Sequence, residues 1–159
     1  MAEQQPFHYQ TVVYQEWVDY NGHMNDAAYA KVFSLAVDAF MANIGLDEAS
    51  RNYFSYTIFT LETHLCYLQE AHQNEQLNVT VQLLDVDTKR LHVIFTMKNE
   101  MNEAIATSEQ MLMGINTGQE RPAPFPAPVA KNIEVMWDED KQLKAPKQVG
   151  RTIGIKRKS

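Results

Sequence analysis

One cysteine, Cys66, stands in the 159 residues, so no intrachain disulfide can form and a reducing compartment is expected. It lies in the middle of a strand-like run with no activating feature, which favours a structural thiol over a nucleophile. No apolar run approaches the ~20 residues that span a bilayer. Met1-Ala2-Glu3-Gln4-Gln5-Pro6 has no basic segment followed by an apolar one, so it does not read as a secretory leader. A cytoplasmic protein with no membrane partner is expected. Positive charge is also in deficit. With 14 Lys and Arg against 20 Asp and Glu, the formal net charge is −6, which argues against nucleic acid as a partner. Paired cysteines, a His-Glu-x-x-His motif and a Gly-rich phosphate loop are all missing. His8, His23, His64, His72 and His92 could ligate a metal, but their spacing matches no zinc pattern.

What is present suits one compact domain, with 45% hydrophobic and 21% charged residues. Phe7 to Val18 is β-favouring and predicts a first strand. Asn21-Gly22 is a strong turn signal. A helix is then expected over Ala27 to Ile44, capped by Asn25 or Asp26 and stopped by Gly45. Lys31, Ser34 and Asp38 mark one narrow polar stripe and most other positions are apolar, so the helix should be largely enclosed. Leu46 to Tyr56 reads as a connection.

Period two then takes over. In Thr57 to Leu68, Phe59, Leu61, Leu65 and Tyr67 should share one face, and Glu62, His64 and Cys66 the other. Leu77 to Leu83 and Leu91 to Met97 alternate likewise, joined by a hairpin at Asp87-Thr88-Lys89-Arg90. Ile105 to Ile115 supplies another strand. Arg121 to Pro128 is too rich in proline for a central strand or helix interior. A short helix is expected over Ile133 to Lys141, followed by a tail whose ionisable side chains are all basic and which reads as solvated. This order implies an α+β domain over residues 1–130, with a C-terminal extension over 131–159. Its antiparallel sheet, of about five strands, would wrap around one long central helix.

The strand-to-helix junction is the place where chemistry could sit. Asp19 ends the strand, Gly22 lets the backbone pass close to a ligand, and the first amides of the helix point outward. A carboxylate beside such amides is a minimal hydrolytic apparatus, the amides holding an oxyanion. The same residues also read as turn formers and a helix cap. Residue physics alone leaves both readings standing.

Trp17-Val18-Asp19-Tyr20-Asn21-Gly22-His23-Met24-Asn25-Asp26-Ala27-Ala28-Tyr29 resembles the signature of the 4-hydroxybenzoyl-CoA thioesterase-like hotdog-fold family, and the similarity runs from about Phe7 to Thr117. The resemblance implies that Asp19 is a nucleophile or general base and that the Asp26 N–H polarises the thioester carbonyl. Tyr20, Asn21, Gly22, His23, Asn25 and Tyr29 would then meet substrate, and Thr88, Lys89 and Arg90 would meet the CoA phosphates. It also implies a homodimer or higher homo-oligomer in which Thr57 to Leu68 pairs with its counterpart, giving Glu62 and His64 a place near the acyl group. Coenzyme A would be part of the substrate, and no other cofactor and no metal would be needed.

Leu61-Glu62-Thr63-His64, Tyr67-Leu68-Gln69-Glu70, Asp87 to His92 and Ser108-Glu109-Gln110-Met111 narrow the resemblance to the betainyl-CoA thioesterases of carnitine degradation. The trimethylammonium group of such a substrate favours aromatic faces and carboxylates. Candidate rings are Trp17, Tyr20, Tyr29, Tyr53, Phe54 and Tyr56, with Glu62 as counter-charge. Thioesterases for other short-chain or aromatic acyl groups, and a non-catalytic acyl-CoA-binding module, are the alternatives.

Overall fold

The computed structural model describes residues 6–158; Met1 to Gln5, read above for a leader, and Ser159 lie outside it. The first strand, β1 (His8–Val12), is shorter than its β-favouring run. Beyond Val13 the chain makes one 3-10 turn, Gln15–Trp17, in which the Tyr14 and Trp17 rings meet edge to face at 4.8 Å. Those aromatics form a local pair instead of a ladder.

Helix α1 (Asp26–Asn43) begins and ends where its caps predict. The Asn25 carboxamide accepts from the Ala27 N–H at 2.8 Å, and Gly45 takes φ 101°, a conformation that disfavours a side chain. Its 18 residues, about 27 Å of helix, bury Val32, Phe33, Ala36 and Phe40 against the sheet. The opposite strip is wider than the polar stripe, because Ala27, Ala30 and Ala42 are exposed beside Lys31, Ser34 and Asp38. The expected enclosure is therefore incomplete within one chain.

Leu46 to Tyr56, expected as a connection, holds a further short helix, α2 (Glu48–Phe54). Asp47 caps it by accepting from the Ser50 N–H, and Ser55 ends it at φ 51°.

The strands that follow are β2 (Tyr56–Tyr67), β3 (Gln76–Val86), β4 (Arg90–Lys98) and β5 (Ala104–Asn116). With β1 they form one antiparallel sheet in the order β1-β3-β4-β5-β2, and the two-residue β6 (Arg121–Pro122) pairs with β5. The expected sheet around one long helix is present. The two strands nearest α1 in sequence, β1 and β2, close opposite edges of the five-strand path.

A bulge in β2 overturns one expected face. The register with β5 shifts between Thr60 and Glu62, so the strand's parity changes there. Ile58, Thr63, Leu65 and Tyr67 face α1, whereas Phe59 joins Glu62, His64 and Cys66 on the outer face. Phe59 and Leu61 are accordingly more than half exposed. Near the other end of β2 the Tyr56 hydroxyl lies over Gly114 and donates to the Ala123 carbonyl at 2.7 Å. A Cβ at residue 114 would overlap that hydroxyl, which accounts for the glycine.

Helix α3 (Ala127–Asp140) starts earlier than Ile133, because Pro128 occupies the first turn, where no intrahelical N–H is needed. It buries Val129 and Ile133 in the common core, and the Asn132 carboxamide donates to the Ile44 carbonyl at the end of α1. Asp140 accepts from the Leu83 N–H at 2.8 Å, beyond the stretch of β3 that β1 covers. Burial raises the pKa of that carboxyl. The tail crosses the outer face, where the Gly150 N–H donates to Glu109 at 2.7 Å, and is exposed from Arg151 to Lys158. No single helix among the described residues is long and apolar enough to cross a membrane.

Candidate active site

Asp19 opens a tight turn whose two limbs are bridged at Val18 and Met24. Its Oδ1 accepts from the Asn21 N–H at 2.8 Å and the His23 N–H at 3.2 Å, and its own N–H donates to the His23 carbonyl. Gly22, at φ 78°, lets the chain reverse within this ring of bonds. Both side-chain bonds fall on Oδ1, so Oδ2 of this exposed carboxylate keeps its lone pairs for a ligand. The turn-former reading is therefore correct as local structure. It does not compete with the chemical one, because the same bonds aim and hold the carboxylate.

The turn runs directly into the N-terminus of α1. The Asn25 N–H donates to the Trp17 carbonyl, the Asn25 side chain takes the Ala27 N–H, and the Asn25 carbonyl takes the Ala28 N–H. Asp26 contributes the first helical N–H, which has no acceptor within the helix. It also gains the partial positive charge of the helix end. Asn25 thus leaves one unspent amide at the spot where a thioester oxygen could be polarised.

Beside that amide lies an open cavity of about 300 Å³ lined by Met24, Asp26, Tyr29, Tyr67, Gln69 and Glu70 among others. Tyr29 is 4% exposed. Its hydroxyl donates to the Gln69 carbonyl and accepts from the Ala71 N–H, each at 3.2 Å. Burial raises its pKa, with the Ala71 N–H opposing the shift. The Tyr67 ring meets the Tyr29 ring edge to face at 5.2 Å, and its hydroxyl donates to the Asp26 carbonyl. Burial, and then the Asp26 charge, raise the Tyr67 pKa. The cavity therefore joins two neutral phenols with the Asp26 and Glu70 side chains.

Asp19, Asn21, Gly22, His23 and Asn25 sit together in the turn and cap, and Asp26 and Tyr29 line the cavity that follows. Tyr20 belongs to the turn but is 97% exposed, touching none of the cavity. Glu62 and His64 lie on the outer face of β2, on the other side of the sheet from α1. His64 there stands opposite Glu109, whose carboxylate lies 2.6 Å from His92 Nε2. Among the candidate rings, Tyr53, Phe54 and Tyr56 lie at the far end of β2.

Thr88, Lys89 and Arg90 form the β3–β4 turn. Asp87 accepts from the Lys89 and Arg90 N–H groups and forms a fork with the Arg90 guanidinium. The Lys89 N–H, opposed by partial burial and then reinforced by the Arg90 guanidinium, holds the Asp87 carboxyl below the usual range. Arg90 is committed to Asp87, so Lys89 offers the more available cation. Within one chain this turn is far from Asp19. The 11 residues of β3, about 35 Å of strand, separate it from Gln76, whose neighbours pack beside the Asp19 turn.

Sequence reasoning missed Tyr67 and Glu70 as individual site residues. They appeared only inside a motif, and nothing local reveals that Tyr67 reaches back to the start of α1. It also missed a close group formed by His23, Glu70 and His72, whose ligating atoms lie within 4.8 Å of one another.

Known proteins resemble this chain in sequence and fold. The profile of the thioesterase-like superfamily matches residues 13–133. The betainyl-CoA thioesterase of Pseudomonas aeruginosa is 43% identical over 148 residues, covering 92% of this chain and 93% of that one. An L-carnitine dehydrogenase/betainyl-CoA thioesterase of Rhizobium meliloti is 36% identical over 152 residues, and this chain spans 30% of its length. A Staphylococcus aureus protein solved in complex with CoA superposes with a TM-score of 0.91 at 35% identity, over 98% of this chain and 99% of that one.

Proposed function

The chain belongs to the thioesterase-like superfamily, and from that premise we propose that it hydrolyses betainyl-CoA to glycine betaine and CoA. The observation that carries the reading is the junction itself. A carboxylate held by its own turn leads along the chain into an unspent helix amide, and Asp26, which carries that amide, lines a small cavity with two phenol rings and two carboxylates. Asp19 serves as general base for water or attacks the thioester carbonyl itself. The Asp26 N–H takes the negative charge that develops on the carbonyl oxygen. The C–S bond then breaks, and CoA leaves as a thiolate that is protonated by solvent. Where Asp19 is the nucleophile, water then cleaves its anhydride with the acyl group, releasing glycine betaine and restoring the carboxylate.

The acyl group carries a permanent cation, which suits the faces of Tyr29 and Tyr67 and the charge of Asp26 and Glu70. Each cation–ring contact is worth ~0.5–2 kcal/mol. The expected counter-charge, Glu62, yields that role to Glu70 and Asp26 within one chain, because these two line the cavity and Glu62 does not. The reaction needs neither a metal nor a cofactor beyond the CoA of the substrate. A panel of betainyl-, acetyl-, butyryl- and 4-hydroxybenzoyl-CoA tests the specificity. Betainyl-CoA is expected to have the highest kcat/KM; preference for an uncharged ester would reassign the substrate.

The working unit is a homodimer built on β2. This edge strand carries a row of unpaired backbone groups over 12 residues, with Phe59, Leu61 and Tyr67 at least half exposed. Beside it, the exposed strip of α1 and the inner face of β2 line a groove of about 390 Å³ that includes Ala30, Ser34, Asp38, Thr60 and Thr63. A second copy adding its β2 antiparallel would cover both features. The two-fold axis would also bring the partner's β3–β4 turn to the Asp19 end of the joint sheet. Thr88 and Lys89 would then serve the neighbour's substrate phosphates, which resolves their distance from Asp19 in one chain. Sedimentation is expected to show a species of at least two 18.3 kDa chains. A fully active monomer would refute the shared site.

A further inference from the structure

Beyond the thioesterase chemistry, we propose that His23, Glu70 and His72 form a binding site for a divalent transition-metal ion of the zinc type. The fold builds the group from two segments far apart in sequence. An antiparallel bridge sets His23 directly opposite His72, and Glu70, two residues before His72, projects to the same side. The imidazole rings meet edge to face with centroids 4.9 Å apart, and His23 Nε2 lies 3.4 Å from Glu70 Oε2.

One ligating atom from each residue lies within 4.8 Å of the other two, so small rotations of these solvent-facing side chains close them on one ion. Two imidazoles and a carboxylate are a donor set that suits Zn²⁺, with water completing four-coordination. Glu75 adds an orienting contact. Its Oε2 accepts from the His72 N–H at 3.0 Å and lies 3.8 Å from His72 Nδ1, which leaves Nε2 of that ring for the metal.

The ion would act as a clasp. His23 donates its backbone N–H to Asp19, and Glu70 belongs to the cavity lining, so the metal would tie the Asp19 turn to segment 69–72. It would also claim a carboxylate that a cationic acyl group uses. This second consequence rests on the proposed substrate; binding of the ion does not.

The test is calorimetric titration of tag-free, chelator-treated protein with zinc chloride, alongside thermal melts. Wild-type protein is expected to bind one Zn²⁺ per chain and to melt at a higher temperature with zinc. His72→Ala and Glu70→Gln should each weaken binding at least tenfold and lose the thermal shift, whereas His8→Ala should keep both. Equal binding by wild type and His72→Ala, or no saturable binding, would overturn the site. Followed by thioester absorbance, zinc should raise the KM for betainyl-CoA in wild type and leave it unmoved in His72→Ala. Zinc that binds without changing KM would refute the coupling and leave the metal site standing.

Discussion

Asp19→Asn protein is expected to fold and assemble as wild type does and to lose thioesterase turnover by roughly 10²–10⁴-fold. The substitution separates structure from chemistry because the Asx turn needs only an acceptor at Oδ1. An asparagine carbonyl still receives the Asn21 and His23 N–H groups, so Gly22, Met24 and the cap at Asn25 stay in place. What disappears is the negative charge. The neutral amide can neither take a proton from water nor attack the thioester carbonyl. Circular dichroism and a melting curve close to those of wild type, together with collapsed kcat, are the expected results. A folded variant with near wild-type turnover would remove Asp19 from both roles.

Wild-type single turnover in oxygen-18 water then separates the two roles. If Asp19 is the nucleophile, it forms a mixed anhydride with the acyl group, and label can enter the peptide that carries Asp19. If it is a general base, label enters only the released acid.

Phe40→Ala should cost about 3–5 kcal/mol of stability, among the largest structural effects expected from a single side chain here. Phe40 is fully buried on α1, with the Phe7 ring at 5.8 Å and the Phe95 ring at 6.1 Å, both edge to face. It therefore joins the segment ahead of β1, the central helix and the middle of the sheet. Truncation leaves a cavity among groups that belong to three elements and cannot all collapse into it. At about 2–4 °C per kcal/mol for a chain of this size, the melting temperature should fall by about 6–20 °C. Urea unfolding measures the loss directly. A change below about 1 kcal/mol would show that the helix–sheet contact is not the main store of stability.

These two residues differ in how far the sequence alone reveals them. Phe40 stands in a long apolar helix bounded by Asn25 and Gly45, and both boundaries hold to within a residue because capping is local physics. The alternation in β3 and β4 survives for the same reason: period two dictates which side chains reach the core. Local rules fail where a non-local partner intervenes. The bulge near Leu61 moves Phe59 to the outer face, and only the pairing of β2 with β5 reveals it. The aromatic run before Asp19 suggests a longer β1, but the Tyr14–Trp17 pair and a 3-10 turn occupy it. Proline content masks the start of α3, since proline is harmless in a first helical turn.

Asp19 through Asn25 was legible as turn, cap and candidate catalytic loop at once, because the side-chain bonds that define the turn and the cap lie within a few residues. The sequence by itself also determined the α+β class, the central helix and the strands that surround it. The tertiary structure decided what faces that loop. Tyr67 and Glu70 enter the cavity because segment 67–72 passes the start of α1, and His72 meets His23 through one antiparallel bridge. It also decided that Glu62 and His64 face away and that Thr88 to Arg90 stand a strand's length from Asp19. The physical reason is the same in each case. Caps and turns are set by hydrogen bonds within a few residues, whereas the walls of a site are set by strand order and register, which chain neighbours do not encode.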